Sequence, residues 1–274
     1  MKFIFILITL FLSQIVVAKN RSGIDKYFED YQGCFILYNL NTNKIITKYN
    51  EKRCAKRISP DSTFKIALSL MAFDQRVINE SSVFKWDGKN KGMSQWNHNQ
   101  TPKTWLQYSV VWVSREITPQ LGMLKIKDYL QKFNYGNQDF SGDPGKNNGL
   151  EHAWLSSSLQ ISANEQLYFL RQMLNKQLPI SSSAIHSTMN NLYIGKLSNG
   201  WSLYGKTGSG WKDTDNYKYV TIDGWFEGFV IKGKQKYIFV TNISEEKLAK
   251  EAKPIGASIT KDKITIPLLI QLLK

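Results

Sequence analysis

In Ser59-Pro60-Asp61-Ser62-Thr63-Phe64-Lys65 a serine hydroxyl precedes a lysine amine by three positions. On a helix that interval puts both side chains on one face. A serine is a poor nucleophile until a neighbouring base takes its proton, and a lysine can be that base once burial has depressed its pKa. Ser59 followed by Pro60 also reads as a helix start, with Ser59 as the cap and Pro60 where a missing N–H has no cost. The spacing predicts Ser62 in the first turn, among free N–H groups and at the positive end of the helix dipole.

A second grouping, Gly200-Trp201-Ser202-Leu203-Tyr204-Gly205-Lys206-Thr207, fits the phosphate-binding pattern G-x-x-x-x-G-K-[ST] letter for letter. Its context argues against that chemistry, because a phosphate loop follows a buried strand and opens a helix. Here Asn199-Gly200 reads as a hairpin turn, Trp201 to Tyr204 alternates like a strand, and Gly208-Ser209-Gly210-Trp211 starts no helix. Lys206-Thr207-Gly208 is therefore expected near a strand end. A lysine-threonine-glycine strand paired with an upstream S-x-x-K helix is the signature of serine β-lactamases and penicillin-binding proteins. A helix start beside an edge strand offers one oxyanion-binding N–H from each element.

With further motifs the chain resembles the class D β-lactamases, the OXA-type oxacillinases, over nearly its whole length. Ser62-Thr63-Phe64-Lys65 is similar to the family's nucleophile motif, Ser109-Val110-Val111 to its S-x-V, Tyr135-Gly136-Asn137 to its Y-G-N and Lys206-Thr207-Gly208 to its K-T-G. Trp154 stands where the family has a tryptophan. Class A enzymes would show S-D-N at the position of Ser109-Val110-Val111. The resemblance implies that Ser62 attacks the β-lactam carbonyl and forms an acyl-enzyme, with the N–H groups of Ser62 and Ser209 binding the oxyanion. It implies that carbon dioxide (or bicarbonate) carboxylates Lys65, that Trp154 and Val111 stabilise the carbamate, and that Ser109 relays a proton with help from Lys206. Thr207, Gly208, Ser209 and Ser258 are the implied substrate-binding residues. Many oxacillinases bind the substrate carboxylate with an arginine, but Glu245 to Thr260 contains none. Ile255 to Thr260 resembles the branch lacking it, which shifts carboxylate binding to Thr207 and Ser258. No other cofactor and no metal is implied.

The elements that must position these residues follow from patterning. Strand-like runs at Phe35–Tyr38 and Ile45–Tyr49 flank a turn at Asn39–Asn43, and strands recur at Gly224–Val230 and Tyr237–Thr241. Helical patterns dominate from Ser59 to about Asn190, including Ala163–Leu174, and the tail from Ser258 is helix-like, with Pro267 a candidate kink. The fold class expected is α+β: the serine β-lactamase/penicillin-binding transpeptidase-like fold, an antiparallel sheet flanked by helices with an inserted helical region. The expected division is a signal peptide at 1–18 and one catalytic domain at 19–274, with the sheet at about 19–58 and 192–274 and the helices at about 59–191. Lys2, a short apolar run and Ala18 are the marks of export, so a periplasmic location is expected. Export permits Cys34 and Cys54 to pair, and patterning leaves a bridge or two thiols open.

The formal charge of +14 is spread along the chain with acids among it. That is a solvated basic surface rather than a nucleic-acid site, and no later segment is long enough to anchor the chain in a membrane. His98, His152 and His186 lack metal-ligand spacing, and G-x-S-x-G is absent. The expected partner is a small β-lactam, with monomer and dimer both open. Two related functions compete: a penicillin sensor domain, and a cell-wall D,D-peptidase. Both would be acylated without rapid turnover.

Overall fold

Strand alternation sorts the apolar residues onto two faces of one sheet. In the computed structural model, which describes residues 23–212, 220–244 and 255–274, the first strand, β1 (Gln32–Asn39), is buried along almost its whole length. Cys34, Ile36 and Tyr38 enter one apolar cluster, while Phe35 and Leu37 enter another on the opposite face. A strand covered on both faces is a central one. Indeed β1 lies between β2 (Lys44–Tyr49) and β6 (Gln235–Ser244). With β3 (Tyr193–Lys196), β4 (Ser202–Lys212) and β5 (Val220–Lys232) the order is β2-β1-β6-β5-β4-β3, antiparallel throughout.

The larger cluster joins the sheet to the helices: α1 (Glu51–Ala55), α2 (Lys65–Asp74), α3 (Pro102–Gln107), α4 (Val111–Leu121), α5 (Met123–Lys132), α6 (Gly149–His152), α7 (Ala163–Leu174) and α8 (Ser182–Asn191). The smaller cluster lies under Ile24 and Phe28 at one terminus and Ile264, Leu268 and Leu269 at the other. The structure therefore has three layers, with the sheet between the helical region and the C-terminal helix. This is the expected fold class. The expected signal peptide lies outside the described residues. Among those residues no helix is long and apolar enough to cross a membrane.

Three local outcomes differ from, or complete, the sequence reading. Ser59 does not cap the helix that follows Ser62. Its hydroxyl donates to the Trp154 carbonyl at 2.9 Å and accepts the Ser156 N–H at 2.9 Å, tying a distant loop to the turn. A 3-10 turn at Asp61–Phe64 replaces the expected start, and α2 proper begins at Lys65. The Thr63 N–H and hydroxyl both satisfy the Pro60 carbonyl, so tertiary bonding wins over local capping. The expected Pro267 kink is replaced by a widened π segment, Ile259–Thr265, before α9 (Ile266–Leu272). There the Thr265 hydroxyl fills the Thr260 carbonyl at 2.7 Å. Finally, Cys34 and Cys54 form a disulfide between β1 and α1.

What matters for the site is the short reach of β3. It pairs β4 only across Ser202–Tyr204, so the flank of β4 from Lys206 onward faces the turn at Asp61–Phe64 instead of another strand. The turn and the strand meet there as the sequence pairing requires.

The disulfide closes a loop between cysteines 20 residues apart. The double variant Cys34→Ser/Cys54→Ser is expected to lose about 3 kcal/mol of unfolding free energy, measured by urea titration of the oxidised protein and the variant.

Candidate active site

Phe64 fixes the turn that carries Ser62. Its ring is fully buried against Tyr135, Phe140 and Trp154, with centroids 5.8, 5.5 and 5.6 Å away. The next residue, Lys65, is thereby carried into the same dry interior and is fully buried. Its Nζ donates to the Ser62 hydroxyl at 2.8 Å. Burial holds this amine well below the ordinary lysine range, and the charge of Lys206 pushes the same way. Lys65 is thus an amine whose charge is disfavoured by burial, in contact with a serine that opens to solvent.

Asp61 sits behind the turn with φ 47° and is fully buried. Burial, then the charge of Asp223, pushes its carboxyl up to about 8. It is therefore largely uncharged near neutrality and does little to restore the charge on Lys65. One of its oxygens accepts both the N–H and the hydroxyl of Ser156, at 3.0 and 3.1 Å.

A second serine–lysine pair faces the first. Ser109 occupies the bend between α3 and α4 with φ 60°. Buried Trp105 and Val110 hold the bend, and the Trp105 indole N–H donates to Ser114 at 3.0 Å. From β4, Lys206 Nζ donates to the Ser109 hydroxyl at 2.8 Å and to the Thr207 carbonyl at 3.0 Å. Lys206 is only 2% exposed. Burial pushes its amine down to about 7, the charge of Glu227 opposes this, and that of Lys261 adds to it.

Gly208 sets how closely the two halves approach. A methyl group there would lie 2.9 Å from the Pro60 carbonyl and 3.3 Å from the Ser62 nitrogen. Only glycine allows this approach of backbone to backbone.

Ser62, Ser109, Val111, Thr207, Gly208, Ser209 and Ser258 all line one cleft of about 700 Å³, a volume suited to a small molecule. Lys65 and Lys206 stand behind it through their serines. Trp154 is fully buried, and its indole nitrogen has no hydrogen-bond partner. Ser258 is exposed at the mouth, on a segment pinned to β4 by the Ala257 N–H donating to Ser209 Oγ at 2.9 Å. Tyr135-Gly136-Asn137 does not line the cleft. Tyr135 is buried beside Phe64, and Gly136 (φ 57°) touches the Gln160 carbonyl where any side chain would clash. Asn137 donates to the Ser158 carbonyl at 2.8 Å and accepts the Gln160 N–H at 2.9 Å. That motif braces the loop carrying Trp154 and Ser156.

Four groups of this neighbourhood were not singled out from sequence. Asp61 lies inside the nucleophile motif and Ser156 beside Trp154, so proximity in sequence was a usable signal for both. Lys261 lines the cleft one position beyond the arginine-free stretch Glu245 to Thr260. Glu227 was read only as part of a strand, yet an acid amid Trp225, Phe226 and Phe229 is itself unusual. Apolar walls come from Met93, Trp96, Tyr108 and Trp211. Among the described residues no cluster of His, Cys, Asp and Glu is arranged to hold a metal ion.

Comparison with known proteins agrees with this geometry. Residues 33–265 match the family described as penicillin binding protein transpeptidase domain. The chain is 54% identical over 244 residues to β-lactamase OXA-1 of Escherichia coli, a match covering 86% of this chain and 87% of that one. It is 32% identical over 250 residues to the methicillin resistance mecR1 protein of Staphylococcus aureus, covering 90% of this chain and 40% of that protein. Among solved structures, the OXA-427 class D β-lactamase superposes with a TM-score of 0.75 at 34% identity, over 88% of this chain and 98% of the other.

The Gly208→Ala variant is expected to stay folded while turnover falls about 10²-fold, the cost of displacing reacting groups by about an ångström. Thermal unfolding alongside initial rates separates the two effects.

Proposed function

The chain belongs to the class D β-lactamases, serine enzymes of the penicillin-binding transpeptidase fold that hydrolyse the β-lactam ring, and on that premise we propose that Ser62 is the nucleophile. The observation that carries the reading is the double contact: Lys65 Nζ on Ser62 Oγ and Lys206 Nζ on Ser109 Oγ, each at 2.8 Å.

In this reading Ser62 Oγ attacks the lactam carbonyl carbon and its proton leaves toward residue 65. The N–H groups of Ser62 and Ser209 receive the oxyanion. As the ring C–N bond breaks, Ser109 gives its hydroxyl proton to the departing nitrogen and Lys206 replaces it, leaving an ester on Ser62 that water then hydrolyses. Carbon dioxide added to the Lys65 amine, with release of one amine proton, would supply an anionic carbamate oxygen to accept the Ser62 proton. The site fits that group. Only an uncharged amine adds carbon dioxide, burial favours that form of Lys65, and the orphan Trp154 indole N–H is a donor in want of an acceptor. Val111, half-buried at the cleft wall, keeps water off residue 65.

Thr207 and Ser258 are proposed to bind the substrate carboxylate, with Lys261 adding positive charge at that end of the cleft. Penicillins and oxacillin-type compounds are the proposed substrates, their hydrolysis conferring resistance. The signal-like residues 1–18 support a periplasmic site of action, with 19–274 as one catalytic domain.

Hydrolysis of a penicillin by the mature protein, with and without added bicarbonate, tests the reading. Sustained turnover that rises with bicarbonate is expected. A single stoichiometric burst would instead make the protein a sensor or transpeptidase. Lys65→Ala is expected to leave a long-lived adduct on Ser62, visible by mass spectrometry of the intact protein. Normal turnover in that variant would remove residue 65 from the mechanism. Trp154→Ala should need added bicarbonate to recover part of its activity, and wild-type rates in bicarbonate-free buffer would reduce Trp154 to packing.

A further inference from the structure

Glu227 is an acid in the middle of an apolar strand, fully buried, with neither carboxylate oxygen hydrogen-bonded. Leaving a carboxylate so placed costs several kcal/mol unless a charge compensates it. Strand alternation puts Glu227 on the face shared by Trp225 and Phe229, toward the helical region. The register places it directly across from Lys206 on β4, and both side chains project from the same face. On its other side β6 offers only Val240, which is apolar. From the helical layer the ionisable group that feels Glu227 is the Tyr135 hydroxyl. Lys206 in turn is faced by Ser109 from the α3–α4 bend, by Lys261 from the π segment and by Lys65 from the nucleophile turn. Burial and the charge of Lys261 disfavour a proton on Lys206, and Glu227 alone among these groups favours it.

We propose that Glu227 is a positioning residue for the β-lactam reaction: its buried carboxylate holds the proton on Lys206, and thereby keeps Lys206 as the donor to Ser109. This rests on the reading that Lys206 and Ser109 pass a proton to the departing ring nitrogen. Burial pushes the carboxyl of Glu227 up and the amine of Lys206 down, and their mutual attraction opposes both movements. The two therefore compete for one proton rather than each keeping an ordinary charge. A valine here would suit the apolar face, and burial together with the charge of Lys261 would then drive the Lys206 proton off to solvent without opposition.

The test is the pH dependence of kcat/KM for a penicillin, in saturating bicarbonate, for the wild type, Glu227→Gln, Glu227→Asp and Lys206→Met. Without the carboxylate charge Lys206 releases its proton at lower pH. The alkaline limb of Glu227→Gln should then move down by about one pH unit or more. That is a loss of about tenfold above the limb, with a much smaller loss on the acid side, and Glu227→Asp should move the limb back toward the wild type. A limb that coincides in Glu227→Gln and wild type overturns the proposal. Lys206→Met separates the two levels: if it keeps the wild-type profile, the relay reading fails. If it is inactive while Glu227→Gln shows no shift, only the role of Glu227 fails. Should Glu227→Gln not fold, infrared spectra of Lys206→Met decide. With its partner gone, Glu227 should show a protonated-carboxyl band at neutral pH, identified by ¹³C-glutamate labelling and weaker in the wild type. An ionised Glu227 in that variant overturns the proposal.

Discussion

Two lysine amines are buried behind one cleft, and the arrangement turns on the fact that burial works against the charge of both. Like charges in a low-dielectric interior repel strongly, and each amine already gives up hydration by being buried. The molecule resolves this by treating the amines differently. Lys65 is enclosed by the aromatic cage around Phe64, and the carboxyl behind it, Asp61, is itself neutralised by burial. Lys206 has an acid across the strand pair at Glu227. The surroundings thus differ in sense, with no effective acid beside Lys65 and one across from Lys206, although both began as the same residue type.

Holding this asymmetry requires unfavourable backbone. Asp61, Ser109 and Ser156 all have positive φ, at 47°, 60° and 51°. For non-glycine residues such conformations cost roughly 1–3 kcal/mol each and persist only where surrounding packing dictates them. Here it does. Ser156 is locked by Ser59 and Asp61, Ser109 by the buried bend at Trp105 and Val110, and Asp61 by the N–H and hydroxyl it accepts from Ser156. Ser59, which sequence would make a helix cap, is worth more as the clasp between two strained segments.

The parts of the site legible in sequence are those whose geometry is local. Ser62 and Lys65 meet because three residues of helical chain bring them together, and Lys206-Thr207-Gly208 reads as strand because Asn199-Gly200 turns the chain before it. The helix Ala163–Leu174 has the limits its pattern suggested, with Ser162 and Glu165 forming a reciprocal cap. What could not be read depends on register or on distant partners. Glu227 gains meaning only once β5 is aligned with β4, a shift of one residue would turn it to the opposite face, and no spacing rule fixes that alignment. Whether Cys34 and Cys54 pair depends on where α1 returns the chain, and Ser59 on a loop whose contact lies 95 residues away. Family motifs identified Trp154, but only the structure shows that its indole nitrogen is left without a partner.

The order of strands in the sheet also governs when this protein can come into being. β1 and β2 are made early, yet β1 finds its second neighbour only in β6, and Arg53 meets Ser244 across 191 residues of chain. Pairings of such sequence separation form late, because the entropy of closing the intervening loop is lost before any contact repays it. During synthesis the first hairpin must therefore wait, with one long edge open, until nearly the whole chain has been made. An unpaired edge is a template for aggregation. The bridge between Cys34 and Cys54 lies wholly within this early part of the chain, where it ties α1 to the strand that waits.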